Sequence, residues 1–130
     1  MNKVSYLNEV KKWLDKSESN LRHAISSAKL EDFDWAQVAA EQCAEKSLKS
    51  ACIFLGYGVI KTHDLVLLAK KLNAPREIIE KSAILNSFYS ASRYPDAEDL
   101  LDKKLNISAT KDAIASAEEI LKWCKLQIKI

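Results

Sequence analysis

The sequence predicts an all-α fold, an antiparallel up-and-down bundle of four long helices and one short helix. Apolar residues recur every three or four positions over most of the chain, which is the spacing of one face of an α-helix. Gly and Pro together supply 4 of the 130 residues, and β-branched residues are not gathered into alternating runs. With 48% apolar and 29% charged residues, the chain can bury a core of its own. We therefore expect residues 1–130 to form a single helical domain.

The first two helices follow from this spacing. The first is expected over about residues 3–29, with a core-facing line of Leu7, Val10, Leu14, Ser17, Leu21, Ile25 and Ala28. Residues 31–34 interrupt the pattern and supply an aspartate as the N-cap of a second helix over about 34–55. The broad core face of that helix comprises Ala40, Cys43, Ala44, Leu48, Ala51, Phe54 and Leu55. The two glycines of the chain, Gly56 and Gly58, suit its C-terminal end.

Three further helices are expected after the glycines. A short third helix, over about 63–72, should be capped by Thr62 or His63, with Asp64 in its first turn. Pro75 suits the first turn of a fourth helix, whose core residues are Ile78, Ile79, Ala83, Leu85, Phe88 and Tyr89. This helix should stop at about Arg93, because Pro95 disfavours helical geometry at the residue before it. Residues 94–107 are predicted to be a loop with a short turn at 97–101. The last helix, over about 109–127, buries Ala113, Ala117, Ile120, Leu121, Cys124 and Ile128.

Composition excludes several classes of protein. The net charge of +2 argues neither for nor against nucleic acid. Charged residues interrupt the first apolar stretch, and no run approaches the length of a membrane span, so we expect neither a signal peptide nor a membrane segment, and a cytoplasmic location. Cys43, Cys52 and Cys124 form no CxxC pair, and the first two fall on opposite sides of one helix. They are expected to be buried, reduced thiols, and we predict no metal site and no cofactor.

A polar arc on the second helix is the first candidate site. Glu41, Gln42, Glu45, Lys46 and Lys49 fall within roughly 140° of the helix circumference. A solvated face is the favoured interpretation of each residue alone, helped by the i,i+4 pair of Glu45 and Lys49. However, Glu41 and Glu45 are one turn apart and repel each other. A cation from elsewhere in the chain, or a second subunit, would remove that repulsion.

The segment "SRYPD", residues 92–96, is the second candidate. Arg93 could simply be a C-terminal cation on a helix, with Asp96 as its partner and Pro95 as the stop. Yet the chain has 17 Lys and 3 Arg, and arginine is preferred where a carboxylate or phosphate is bound by two parallel hydrogen bonds. Tyr94 adds a ring on which a base could stack. On physical grounds, helix stop and ligand site are equally favoured. His63 lies in a loop beside a helix N-terminus, where phosphate can also bind, whereas His23 is expected on the surface.

Taken together, four segments resemble the HEPN family, the higher eukaryotes and prokaryotes nucleotide-binding domains. They are "WAQVAAEQCAEKSLKSACIFLG", "KTHDLVLLAKKL", "FYSASRYPDA" and the "AEEILKW" of the last helix. The combination of EQxxEKxLK, THDL and ARYPD carries the resemblance, which covers the chain after the first turn. It implies an antiparallel helical bundle, commonly a homodimer, and often a minimal nucleotidyltransferase as partner. The nucleotide-binding site is expected to comprise Arg93, Tyr94, Asp96, Glu41, Glu45, Lys49, His63 and Asp64.

The sequence departs from the ribonucleases of this family. They carry an arginine and, after four to six intervening residues, a histidine, whereas the corresponding positions after Arg93 hold Glu98, Asp99 and Leu100. Histidine is the natural group for acid/base cleavage of RNA near neutral pH, so no catalytic residue is assigned. The favoured hypothesis is an accessory subunit, prokaryotic in style, that binds nucleotide or RNA phosphate and acts with a nucleotidyltransferase in a toxin–antitoxin-like system. The alternatives are a metal-independent RNA-cleaving toxin with a rearranged site, and a structural dimerisation module.

Overall fold

Five helices make up the protein. The computed structural model describes residues 3–93 and 103–129, and side chains within 3–87 and 107–129. The helices are α1 (Lys3–Lys29), α2 (Phe33–Phe54), α3 (Leu65–Lys71), α4 (Arg76–Arg93) and α5 (Lys103–Gln127). The described ranges contain no strand, so the all-α prediction is confirmed.

Helix boundaries agree with the sequence prediction except at the third and fifth helices. The bounds of α1 are those predicted, and α2 and α4 are displaced by one residue at most. In contrast, α3 begins two residues later than expected. The last helix begins at Lys103 rather than at about 109, because residues 103–108 contain neither glycine nor proline to end it. The loop predicted over 94–107 is therefore wrong for its last five residues, and the turn predicted at 97–101 lies outside the described residues.

The central element is α2, which contacts all four other helices. It runs antiparallel to α1, since the Tyr6 hydroxyl donates to the Phe54 carbonyl and the Ser17 hydroxyl donates to the Cys43 carbonyl at 3.0 Å. It runs parallel to α5, since Gln37 Nε2 donates to Thr110 Oγ1 at 3.0 Å near the beginning of both helices. The up-and-down order thus makes α2 and α5 neighbours across the bundle.

Small residues allow these helices to approach closely. The line predicted on α5 is buried throughout, and it meets a face of α2 that is rich in alanine and cysteine. Two predicted core positions are wrong. Leu55 is 47% exposed because α2 has already ended there, and on α4 the buried residue is Ser82 rather than the exposed Ala83. On α1 the fully buried residues are Val10, Ser17 and Ala24, and the other members of the predicted line are half-buried.

None of the helices in the described ranges combines the length and the apolarity that crossing a bilayer requires.

Candidate functional site

Most of the polar arc of α2 is buried. Glu41, Glu45 and Lys49 are 0%, 1% and 6% exposed, and Gln42 and Lys46 are half-buried. The reason is the central position of α2, which packs against all four other helices. The interpretation of this arc as a solvated face is therefore wrong for the two glutamates and for Lys49.

Glu45 is in contact with two lysines and a histidine. Its Oε2 accepts from Lys49 Nζ at 3.2 Å and lies 3.7 Å from Lys46 Nζ. Its Oε1 lies 2.8 Å from His63 Nδ1, and because a carboxylate oxygen only accepts, Nδ1 is the donor. The repulsion expected between Glu41 and Glu45 is thus offset within the subunit, by two lysines of α2 and by a histidine from the segment that follows it.

No cation among the described residues contacts Glu41. Gln42 Nε2 donates to its Oε2 at 2.7 Å, and its buried Oε1 has no hydrogen-bond partner among the described residues. Burial raises the pKa of Glu41 from 4.5 to about 7, the nearby Glu45 adds to the rise, and the Gln42 hydrogen bond, His63 and Lys46 oppose it. Near neutral pH this buried carboxyl group is therefore partly protonated.

Asp64 is the N-cap of α3, and the prediction that Thr62 or His63 would cap this helix is wrong. Asp64 Oδ1 accepts from the backbone N–H of Val66 at 3.1 Å and of Leu67 at 3.3 Å. It also accepts from Asn86 Nδ2 at 2.9 Å, whose Oδ1 accepts from the N–H of Leu65 at 3.0 Å. Asp64 Oδ1 thus caps the N-terminus of α3 and also links this helix to α4 through the hydrogen bond with Asn86.

Two of the sequence motifs meet through these contacts. The EQxxEK segment of α2 and the THDL segment before α3 are joined by the hydrogen bond between His63 and Glu45. Because Asp64 contacts Asn86, α4 passes beside them and ends seven residues later at Arg93, about 10.5 Å further along its axis. The side chain of Arg93 and all of Tyr94, Pro95 and Asp96 lie outside the described residues, so their expected place in the site stays a prediction.

Comparison with known proteins supports one family. The HEPN domain model matches residues 10–127. This chain belongs to the HEPN family. It is similar to TT1696 from Thermus thermophilus, with 29% identity, a TM-score of 0.82, and 92% of this chain and 98% of that chain covered. It is also similar to ST0689, described as an archaeal HEPN homologue, with 27% identity, a TM-score of 0.77 and the same coverage. A search of curated proteins finds no match.

Within this HEPN domain the three cysteines are structural. Cys43, Cys52 and Cys124 are buried and free, as predicted. Burial raises the pKa of the first two thiols to about 11 and that of Cys124 well above its usual value, so they remain protonated and unreactive. The described residues contain no cluster of side chains suited to a metal ion.

Two residues near the site were missed from the sequence. Asn86 holds Asp64 against α4, and nothing in its local sequence distinguishes it from a surface residue. Trp13 contacts the lysines of α2, with Lys46 Nζ at 5.2 Å and Lys49 Nζ at 5.8 Å from its ring centroid. Its contact with α2 depends on how α1 packs, which the local sequence does not show.

Proposed function

We propose that this HEPN domain is an accessory subunit that binds nucleotide or nucleic-acid phosphate. In this proposal it acts with a minimal nucleotidyltransferase in a two-component, toxin–antitoxin-like system. The supporting observation is that residues from two separate motifs, Glu45 and Lys49 on α2 and His63 before α3, converge beside the helix that ends at Arg93. The His63 side chain is 64% exposed, so this charged cluster reaches the protein surface.

The division of labour within the site follows from burial. Lys49 is buried against Glu45, so its charge holds the carboxylate rather than a ligand. Glu45 in turn orients the His63 ring, whose exposed part faces solvent. We propose that Arg93 supplies the two-pronged phosphate contact, that Asp96 orients its guanidinium and that Tyr94 stacks on the base.

The RNA-cleaving alternative has one group in its favour, because Glu41 has the pKa of about 7 that an acid/base catalyst needs. However, Glu41 is fully buried, and a general base must come within hydrogen-bond reach of the proton that it removes. Binding without cleavage is therefore the better-supported role.

A comparison of two arginines tests the binding role. Arg93→Lys keeps the charge and removes the planar fork, so we expect nucleotide affinity in calorimetric titrations to fall about tenfold while the fold survives. Arg22→Lys, at an exposed position of α1, is the matched control and should bind like wild type. Equal binding by both variants would exclude Arg93 from the site.

A further inference from the structure

A tryptophan stands between two basic cavities on the α1–α2 side of the bundle. Trp13, half-buried on α1, lines both of them. The first cavity, of about 250 Å³, is also lined by Glu9, Lys12, Lys16 and Lys46. The second, of about 370 Å³, is lined by Lys49, Val59, Lys61, Thr62 and His63. We call these two cavities with the indole between them the Trp13 surface.

The indole ring is held in place before any ligand arrives. Trp13 Nε1 donates to Glu9 Oε1 at 3.0 Å, one turn earlier on α1. Lys46 and Lys49, one turn apart on α2, place their ammonium groups 5.2 and 5.8 Å from the ring centroid, within the range of a cation–π contact. A ring fixed from both helices loses little conformational freedom on binding, which favours a stacking role.

Positive charge is concentrated around this ring. The Trp13 surface carries five lysines, and the glutamates in contact with it among the described residues are Glu9 and Glu45. These residues together have a net charge of +3 with His63 neutral. The whole chain has a net charge of +2, so the remainder is slightly negative. The balanced composition therefore conceals one basic surface, which attracts polyanions more strongly than the total charge suggests.

We propose that the Trp13 surface binds single-stranded nucleic acid, with a base stacked on the indole and the neighbouring phosphates on the exposed Lys12, Lys16 and Lys61. An aromatic ring beside a basic groove is the usual construction of sequence-tolerant single-strand sites. Lysines lie on both sides of Trp13, which suits a strand that runs past the ring, whereas a mononucleotide has phosphate on one side of its base only. The proposal rests on the proposed phosphate-binding function, but it places the strand between α1 and α2 rather than at the end of α4.

Fluorescence anisotropy with a short labelled oligouridylate, and separately an oligothymidylate, tests this site. We expect wild type to bind with an affinity that falls as salt rises. Trp13→Leu should weaken binding about 5- to 150-fold, the loss of one stacked base, and leave the salt dependence unchanged. The double variant Lys12→Gln/Lys16→Gln should reduce the slope of log K against log salt by about 1.4. The two oligonucleotides distinguish an RNA from a DNA ligand.

Lysines on another face provide the control. Lys111 and Lys122 are exposed on α5, so Lys111→Gln/Lys122→Gln removes the same charge without touching the Trp13 surface and should bind like wild type. Because Trp13 packs against the core, thermal melts must verify that the Trp13→Leu variant is folded. The variants at exposed lysines test the site without changing the core.

The outcomes separate the two proposals. If the oligonucleotides bind, the lysine and tryptophan variants match the control and Arg93→Lys alone weakens binding, the Trp13 surface is excluded and the proposed function stands. If wild type binds ATP but neither oligonucleotide at low salt, the strand site is likewise overturned. If wild type binds neither ATP nor oligonucleotide, both proposals fail.

Discussion

Glu41 and Glu45 are one turn apart on α2, yet their surroundings give them different properties. Glu45 is held by Lys46, Lys49 and His63, whereas Glu41 has a pKa raised to about 7 by burial. One oxygen of Glu41 has no hydrogen-bond partner among the described residues, whereas both oxygens of Glu45 are paired. Glu41 is therefore a buried carboxyl group with a pKa near neutral pH.

This difference predicts a pH-dependent stability. The folded state holds the Glu41 proton up to about pH 7, and the unfolded chain releases it near 4.5. The stabilisation is thus fully present below 4.5, decreases as pH rises through this window and is lost above about 7. A shift of this size corresponds to about 3 kcal/mol at most. Glu41→Gln removes the ionisation and should be more stable than wild type at about pH 8, with the difference vanishing towards pH 5.

Urea unfolding across that pH range measures the effect. Glu119→Gln, at an exposed position of α5, is the control and should follow the wild-type profile. If Glu41→Gln is instead less stable than wild type at the alkaline end, Glu41 is ionised and paired with a cation, and its pKa in the protein is low.

At the scale of single residues, the sequence indicated the repulsion between Glu41 and Glu45 but not which residues offset it. Two glutamates at i,i+4 indicated that a cation was needed, and His63 was already a candidate. Burial could not be read from the arc, because a polar stripe on a helix looks the same whether it faces water or a neighbouring segment. Only the packing of α2 in the centre of the bundle decides between them.

At the scale of elements, helix ends also show what the sequence can and cannot predict. The turn after α2 was predictable because glycine commonly ends helices. Gly56 adopts φ 90°, and the N–H groups of Gly56 and Tyr57 donate to the carbonyls of Ile53 and Cys52. The turn after α1 uses the same pattern with Glu31 at φ 59°. Glutamate carries no signal for that conformation, so its role there could not be foreseen.

The cap of α3 gives a prediction at this scale. Asp64→Ala removes the acceptor for Val66, Leu67 and Asn86, so we expect a loss of about 1–2 kcal/mol in the free energy of unfolding. Asp64→Asn keeps a capping oxygen and should recover most of it. Chemical denaturation measures both. If alanine and asparagine destabilise equally, the charge of Asp64 matters more than its capping geometry.

For the whole molecule we predict a self-complementary homodimer. Trp35 is 63% exposed on α2, whereas Trp13 and Trp123 are half-buried against the core. Exposed tryptophan is enriched at interfaces and contributes strongly to binding there. Trp35→Ser should therefore shift the protein towards monomer in sedimentation velocity at micromolar concentration. A wild type that sediments as monomer at that concentration would contradict the dimer.

The central claim is that this HEPN domain recognises phosphate. The most direct test is a pair of calorimetric titrations of the wild-type protein, with ATP and with adenosine, each at low and at raised salt. Phosphate recognition predicts that ATP binds, that salt weakens its binding and that adenosine binds much more weakly. The claim would be contradicted if ATP gave no binding at millimolar concentration, or if adenosine bound as tightly as ATP.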